Sequence, residues 1–421
     1  MSLAVQPIDD SETINPEAVR RDFPIFSGST QPRRFHYLDN AATTHKPSAV
    51  INAISDCYAQ CYAPIHRGLY PMAEQATSNY EHARRTLQHF IGAASPDELV
   101  FTRSATDAIN MVASGWLKPR LERGDVVWVS RMEHHSNYLP WQRVCQEKQA
   151  QLRFIELTED GQLDLDGTPE LFAERTKFIA ITHVSNVLGT ENPVATLCTT
   201  AREYGIPVLV DAAQSVSHIE LDVAEMCCDF LAFSAHKMFG PTGIGLLYGR
   251  QERLAEMTPL QVGGGMVDSV GDGMEESRWA AIPARFEAGS PDMPGAVGFA
   301  AAADYLSSLG HGRVHRHIVS LTRLAAQRLM RIDGIRLLPH AGLPASGIVS
   351  FTHHNMHPHD MAQIAGEAGV AIRAGHHCAQ PLLRHLGLTA TARASFSVYN
   401  DESDIDALID AIISAQRVFC E

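Results

Sequence analysis

The chain has 421 residues, 45% hydrophobic and 19% charged, which is enough material for two or three globular domains. A net charge of −14 argues against a nucleic-acid binder that works by neutralising phosphates. No apolar run reaches membrane-spanning length, and the polar, acidic stretch 1–17 lacks a signal-peptide pattern, so the expected location is cytoplasmic.

Residues 1–34 are polar, with one short helix predicted over 16–22. A strand is expected at 35–39, followed by the turn-like Asn40-Ala41-Ala42-Thr43-Thr44. Helical spacing covers 47–58 and 73–91, interrupted by a segment holding His66 and Arg67. Short apolar, often β-branched runs then recur at 98–103, 125–130, 152–157, 177–183, 207–211, 230–234 and 243–248, with helix-like segments between many of them. That alternation predicts an α/β architecture with a mostly parallel sheet covered on both faces. Glycine-rich loops at 263–265 and 271–273 precede an apolar helix over 296–309. From about 306 the texture changes to helices at 318–332 and near the C-terminus, with short strands at 335–338, 347–353, 370–374 and 392–397. The last helix carries Ile405, Leu408, Ile409, Ile412 and Ile413, a stripe that faces a core. The expected organisation is an N-terminal segment 1–34 packing with the small domain, a large domain 35–305 and a small α+β domain 306–421.

Ligands of an open α/β sheet bind beyond the carboxyl ends of its strands. The predicted strand ends deliver Ser104-Ala105-Thr106, Glu133-His134-His135, His183-Val184-Ser185-Asn186, Asp211-Ala212-Ala213-Gln214 and Ser234-Ala235-His236-Lys237. Each residue alone also suits a cap or a turn. Together they suit a pyridine ring bearing an aldehyde and a phosphate, which needs a lysine, a carboxylate for its nitrogen, an aromatic face and phosphate donors. Lys237, Asp211, His134 and the pair Thr106 and Ser234 supply that set.

The small domain adds Arg373-Ala374-Gly375-His376-His377-Cys378, where a thiolate can be stabilised, and Arg393 on a strand, which can hold a carboxylate bidentately. The other cysteines, Cys57, Cys61, Cys145, Cys198, Cys227, Cys228 and Cys420, do not resemble a disulfide framework, and Cys57 and Cys61 share a helix face with no second pair for zinc. His353, His354, His357 and His359 read as a loop or site wall rather than a metal site, and no metal is expected.

The motifs YLDNAATTHKP, HRGLY, MEHHSNYLPW, VLVDAAQS, FSAHKMFGPTGIGLLYG, RFEAGSPD, RAGHHCAQPLL and RASFSVYN make the chain, from about 17 to 418, closely similar to the group II (SUF-type) cysteine desulfurases. These enzymes are also described as selenocysteine lyases and belong to the class V aminotransferases. The resemblance implies a fold type I transferase dependent on pyridoxal 5′-phosphate (PLP). It implies conversion of L-cysteine to L-alanine, with a persulfide on Cys378 and sulfur passed on for iron–sulfur cluster assembly or other sulfur biosynthesis. The alternatives are a selenocysteine lyase acting on L-selenocysteine, or an aminotransferase or kynureninase-like enzyme of the same family.

By resemblance, Lys237 carries PLP, His134 stacks on the ring, Asp211 meets the ring nitrogen and Gln214 the ring oxygen. Asn186 lies near ring and substrate, and Thr106, Ser234 and His236 bind phosphate. Ser290 stands where relatives reach the phosphate across a dimer. Arg393 clamps the substrate carboxylate and Arg373 lines the pocket. His66 and Arg67 are lent to the neighbouring subunit's site. The implied partners are a second copy in a homodimer with shared sites and a SufE-type or CsdE-type sulfur acceptor. Ala105, Ala212 and Ala235 depart from the usual family residues.

Overall fold

The computed structural model of the chain describes residues 13–27, 34–166, 169–338, 344 and 346–420. Parts of the expected N-terminal segment, 1–12 and 28–33, therefore lie outside the described residues. In chain order the strands are β1 (His36–Tyr37), β2 (Leu99–Thr102), β3 (Val126–Ser130), β4 (Gln151–Ile155), β5 (Thr176–Thr182), β6 (Val208–Asp211), β7 (Phe230–Ser234), β8 (Gly245–Gly249), β9 (Val267–Ser269), β10 (Arg278–Trp279), β11 (Ile335–Leu337), β12 (Ile348–His353), β13 (Val370–Ala371), β14 (Arg373–Gly375) and β15 (Thr391–Ser395).

A seven-stranded sheet has the order β2-β8-β7-β6-β5-β3-β4 and is parallel except for β8. Its inner strands are buried along their length, because helices cover both faces. Alternate residues serve opposite cores. Val126, Trp128, Ile179, Ile181, Val208, Val210, Leu231 and Phe233 join the layer containing the helices Pro71–Phe90 and Met293–Leu309. Val127, Val129, Phe178, Ala180, Leu209, Phe230 and Ala232 join the opposite layer, with the helices Ala105–Met111 and Leu139–Lys148. This is the period-two pattern of a strand read on both faces.

The C-terminal sheet is antiparallel, in the order β11-β12-β15-β14. The helices His311–Leu329, Pro358–Glu367 and Glu402–Cys420 cover it, and the predicted stripe of Ile405, Leu408 and Ile412 lies in its core. The fold class expected from the sequence is thus present.

Four local expectations need correction. The single strand expected at 370–374 is broken at Ile372 into β13 and β14, because β13 pairs in parallel with β1 while β14 pairs with β15. The helix that the sequence predicts to open at Asp107, after β2, begins at Ala105, because Ser104 caps it by accepting from Asp107 N–H. The helix expected over 318–332 starts seven residues earlier, at His311, after Gly310 at φ 81°. Between the glycine-rich loops expected at 263–265 and 271–273 lies β9, which pairs with β10 as a hairpin that the sequence did not predict.

Candidate active site

Because β2, β3, β5, β6 and β7 run the same way, their carboxyl ends open on one edge. The β14–β15 pair closes that edge into a cleft. Of the residues singled out by sequence, Thr106, His134, Asn186, Asp211, Gln214, Ser234, His236, Lys237, Arg373, Cys378 and Arg393 all line it. His66, Arg67 and Ser290 do not. They meet in a separate cavity with Gly265 and Glu287.

Lys237 ends a single turn that leaves β7. Its Nζ makes no hydrogen bond to the described residues. Burial lowers its pKa to about 8 against the opposing pull of the Asp211 carboxylate. Asp211 closes β6. Ala213 N–H donates to its Oδ1 at 2.9 Å, and Oδ2 has no protein donor among the described residues. Burial holds this carboxyl above its usual range, with Lys237 opposing. On the other wall, Ser136 N–H donates to His134 Nδ1 at 3.1 Å, which assigns the proton to Nε2. Burial brings His134 to about 3, so its ring is neutral at physiological pH. Gln214 Nε2 donates to Ala41 O at 2.9 Å.

Hydroxyls gather where the helix Ala105–Met111 begins. Thr106 Oγ1 lies 2.7 Å from Ser136 Oγ, and Ser234 Oγ accepts from Ala105 N–H at 2.8 Å. The first N–H groups of a helix lack intrahelical partners, which favours an anion there. Ala105 carries no hydroxyl, but Ser136, which no local pattern marks, brings one to the same side. His236 Nδ1 meets Thr43 Oγ1 at 3.2 Å.

Arg373 and Arg393 face each other across β14 and β15. Arg393 is 2% exposed. It donates through Nη1 to Asn186 O at 2.8 Å and through Nη2 to Asp39 Oδ1 at 3.2 Å, while its buried Nε has no partner among the described residues. Burial lowers its pKa to about 10, so it stays a cation at neutral pH. Two guanidinium groups and an unpartnered N–H make an anion site.

Cys378 follows in the turn after β14. Both His377 (φ 50°) and Cys378 (φ 55°) adopt left-handed backbone, costly for side chains with a Cβ. The turn persists because it is held from several sides. Asn186 Nδ2 donates to His377 O at 2.7 Å, and His135 N–H donates to Cys378 O at 2.7 Å. Gln380 N–H donates to His135 Nε2 at 3.2 Å, and Cys378 N–H to His376 Nδ1 at 3.1 Å. Cys378 is partly exposed and lines the same cleft as Lys237 and Arg393.

Sequence reasoning missed the supporting residues. Glu133 lies just beyond the end of β3, yet nothing local shows that its carboxyl group spans two strands. It accepts from Ser130 Oγ (2.5 Å), Asn137 Nδ2 (2.7 Å) and Thr182 N–H (2.8 Å), so it ties the ends of β3 and β5 beneath His134. Burial raises its pKa to about 8. A raised acid contributes stability that is full below its unfolded value and is lost as pH rises through the folded one. The stability advantage of the wild type over Glu133→Gln should therefore be greatest below about pH 4.5 and shrink up to about pH 8. Denaturant unfolding at several pH values measures it, and a difference that grows with pH would refute this reading.

His353 and His354 stack at 4.8 Å, and His357 and His359 pack edge-on at 4.9 Å. Among the described residues, no group of three or more His, Cys, Asp or Glu is arranged to hold a metal.

The class-V aminotransferase family model matches residues 36–408, and the chain belongs to that family. A "probable cysteine desulfurase" of Halalkalibacterium halodurans is 42% identical over 406 residues, 96% of this chain and 99% of the relative. One from Streptomyces coelicolor is 42% identical over 412 residues, 96% and 98% of the two chains. The crystal structure of the Escherichia coli cysteine desulfurase CsdA superposes with a TM-score of 0.89 at 37% identity, covering 97% of this chain and all of that one. The apo cysteine desulfurase of Thermococcus onnurineus gives 0.91 at 36% identity, with the same coverage.

The family depends on PLP. The residues present fit it: an amine without a hydrogen-bond partner, a carboxylate with an oxygen free for a cationic N–H, a neutral imidazole and a hydroxyl cluster at a helix start.

Proposed function

We propose that this chain is a PLP-dependent cysteine desulfurase that converts L-cysteine to L-alanine and leaves the sulfur as a persulfide on Cys378. The observation that carries this reading is a thiol facing the same cleft as the cofactor-type lysine and the paired arginines. An aminotransferase has no use for such a thiol.

Lys237 would hold the cofactor, Asp211 its ring nitrogen, His134 and Gln214 the ring's face and oxygen, and Thr106, Ser234 and His236 its phosphate. When bound, PLP supplies an electron sink next to the substrate's α-carbon. Lys237, brought near neutrality by burial, can take the α-proton at Nζ once its amine is free. Arg393, with Arg373 and Asn186 beside it, fixes the substrate carboxylate, so the side chain is directed toward Cys378. The Cys378 thiolate then attacks the substrate sulfur. The Sγ–S bond forms and the substrate Cβ–S bond breaks. The electron pair of the broken bond stays on carbon and ends in a C–H bond of alanine. His134 keeps a proton on Nε2 for that exchange.

A SufE-type or CsdE-type protein then takes the sulfur from the partly exposed Cys378, for iron–sulfur cluster assembly or related biosynthesis in a SUF-type pathway. Residues 35–305 form the cofactor domain and 306–421 the domain that carries the thiol; the described part of the N-terminal segment meets both, with Phe23 packed against Phe239 and Tyr399. The active enzyme is a homodimer. Leu69 is 97% exposed, and Tyr58, Tyr62, Tyr70 and Met72 are also exposed near the cavity of His66, Arg67 and Ser290. A second copy covering this face would bring those three residues to its own cleft. The seven cysteines whose side chains are described are all free, which supports a reducing, cytoplasmic setting.

The assay is alanine formation from L-cysteine with a reducing acceptor. It separates this reading from an aminotransferase, which would pass an amino group to a keto acid instead. Arg393→Lys keeps the charge but loses the fork. It should raise KM for cysteine by about tenfold or more, in line with about 1.5–3 kcal/mol for hydrogen bonds to charged groups. Cofactor absorbance should persist. An unchanged KM would remove Arg393 from carboxylate binding.

A further inference from the structure

The backbone carbonyl of His236, the peptide that launches Lys237, is approached by four donors. Thr44 N–H lies at 3.0 Å, Thr43 Oγ1 at 3.1 Å, Thr44 Oγ1 at 3.2 Å and Lys46 Nζ at 3.1 Å. A carbonyl oxygen offers two lone pairs, so these donors compete for one acceptor. Only the ammonium is charged, and a charged donor makes the stronger bond. Lys46 is half-buried, and Thr44 O is its other acceptor, at 2.5 Å. Among the described residues no carboxylate pairs with it. Burial lowers its pKa to about 8. A desolvated cation without a counter-ion is costly, so its placement against two carbonyls calls for a physical reason.

We propose that Lys46 is a positioning residue for Lys237: it fixes the His236–Lys237 peptide by gripping the His236 carbonyl. This rests on the reading of Lys237 as the cofactor-bearing lysine. The grip extends past Lys237, because Phe239 N–H donates to Thr44 Oγ1 at 2.8 Å. The turn is thus held on both sides by the segment 43–46, which enters the site from the far end of the sequence. A long side chain magnifies any rotation of its own peptide, and catalytic groups need their orientation held within about 10–20°.

The test compares Lys46→Met, which keeps the stem, with Lys46→Arg, which restores a cation. In the cofactor-free protein, Lys46→Met should speed amide hydrogen exchange in the segment 235–240 about fivefold or more, with little change elsewhere, as expected for loss of one charge-assisted bond. In the holoenzyme it should lower kcat about tenfold and leave KM for cysteine within about twofold, because Arg393 on the other domain holds the carboxylate. Lys46→Arg should recover most of both effects. Unchanged exchange at 235–240 with unchanged kcat overturns the proposal. So does a uniform rise in exchange across the protein that arginine fails to rescue, since that marks a general structural role. Borohydride trapping of the cofactor on the wild type separates the two readings. If the label is not on Lys237, the cofactor assignment fails, while the exchange result still decides whether Lys46 grips the turn.

Discussion

Replacing Cys378 with serine is expected to abolish alanine formation from L-cysteine, by about a thousandfold or more, while cofactor absorbance and thermal stability stay near wild type. Nucleophilic groups that act as a unit with the rest of a site typically account for losses of about this size or larger. Serine preserves the shape of the side chain, so the strained turn and its bonds from Asn186, His135 and His376 can remain. What is lost is attack on sulfur, for which a hydroxyl at neutral pH is a poor substitute. Alanine release at the original rate would exclude the persulfide route. The same variant assayed on L-selenocysteine resolves the neighbouring reading. Selenium leaves carbon more readily than sulfur, so a selenocysteine lyase would keep much of its activity without the thiol.

Lys237→Ala is the second large effect. Loss of the cofactor's attachment and of the proton acceptor should lower turnover by at least about a thousandfold, in the range of a lost nucleophile and general base. Borohydride should no longer fix the cofactor to the chain. The variant also carries a stability prediction of definite sign. Burial moves Lys237 from an ordinary 10.5 to about 8, so folding penalises its charged form. Such a lowered lysine destabilises the fold most below about pH 8, and the penalty fades as pH rises toward 10.5. Removing the amine from the cofactor-free protein should therefore stabilise it at pH 7, by at most about 3 kcal/mol, with the gain disappearing between those two values. Urea unfolding of the two cofactor-free proteins across that range measures the difference. A wild type more stable than the variant at pH 7 would contradict a net penalty on the charged amine.

Much of this site was legible in the linear chain, because parallel strands end on a common edge. Ser104-Ala105-Thr106, His134, Asn186, Asp211 and Lys237 each follow an apolar run of strand length, so local pattern alone placed them together. The Gly-His-His-Cys turn and Arg393 carried enough chemistry to be singled out, although nothing local said that they face Lys237. The placement of β1 against β13 was not legible, since a two-residue strand has no period to read, and its pairing spans more than three hundred residues. The same holds for the contacts of Glu133 with Thr182 and of Lys46 with the His236 carbonyl.

The sequence by itself determined the α/β class, the order of the elements, the lysine and acid proposed to hold the cofactor and the thiol proposed to take the sulfur. These depend on periodicity and residue chemistry, which are local properties. Only the tertiary structure decided that Cys378 and the two arginines close over Lys237. It also decided that Asn186 and His135 hold the thiol's strained turn, and that His66, Arg67 and Ser290 stand apart from this chain's own cleft. Those outcomes depend on sheet order, on the packing of one domain against the other and on hydrogen bonds between distant segments. Lys237 read alone is a residue in a Gly- and Pro-rich turn. Packing draws it largely out of water, sets the acid beside it and leaves its amine without a hydrogen-bond partner among the described residues, and that environment makes it reactive.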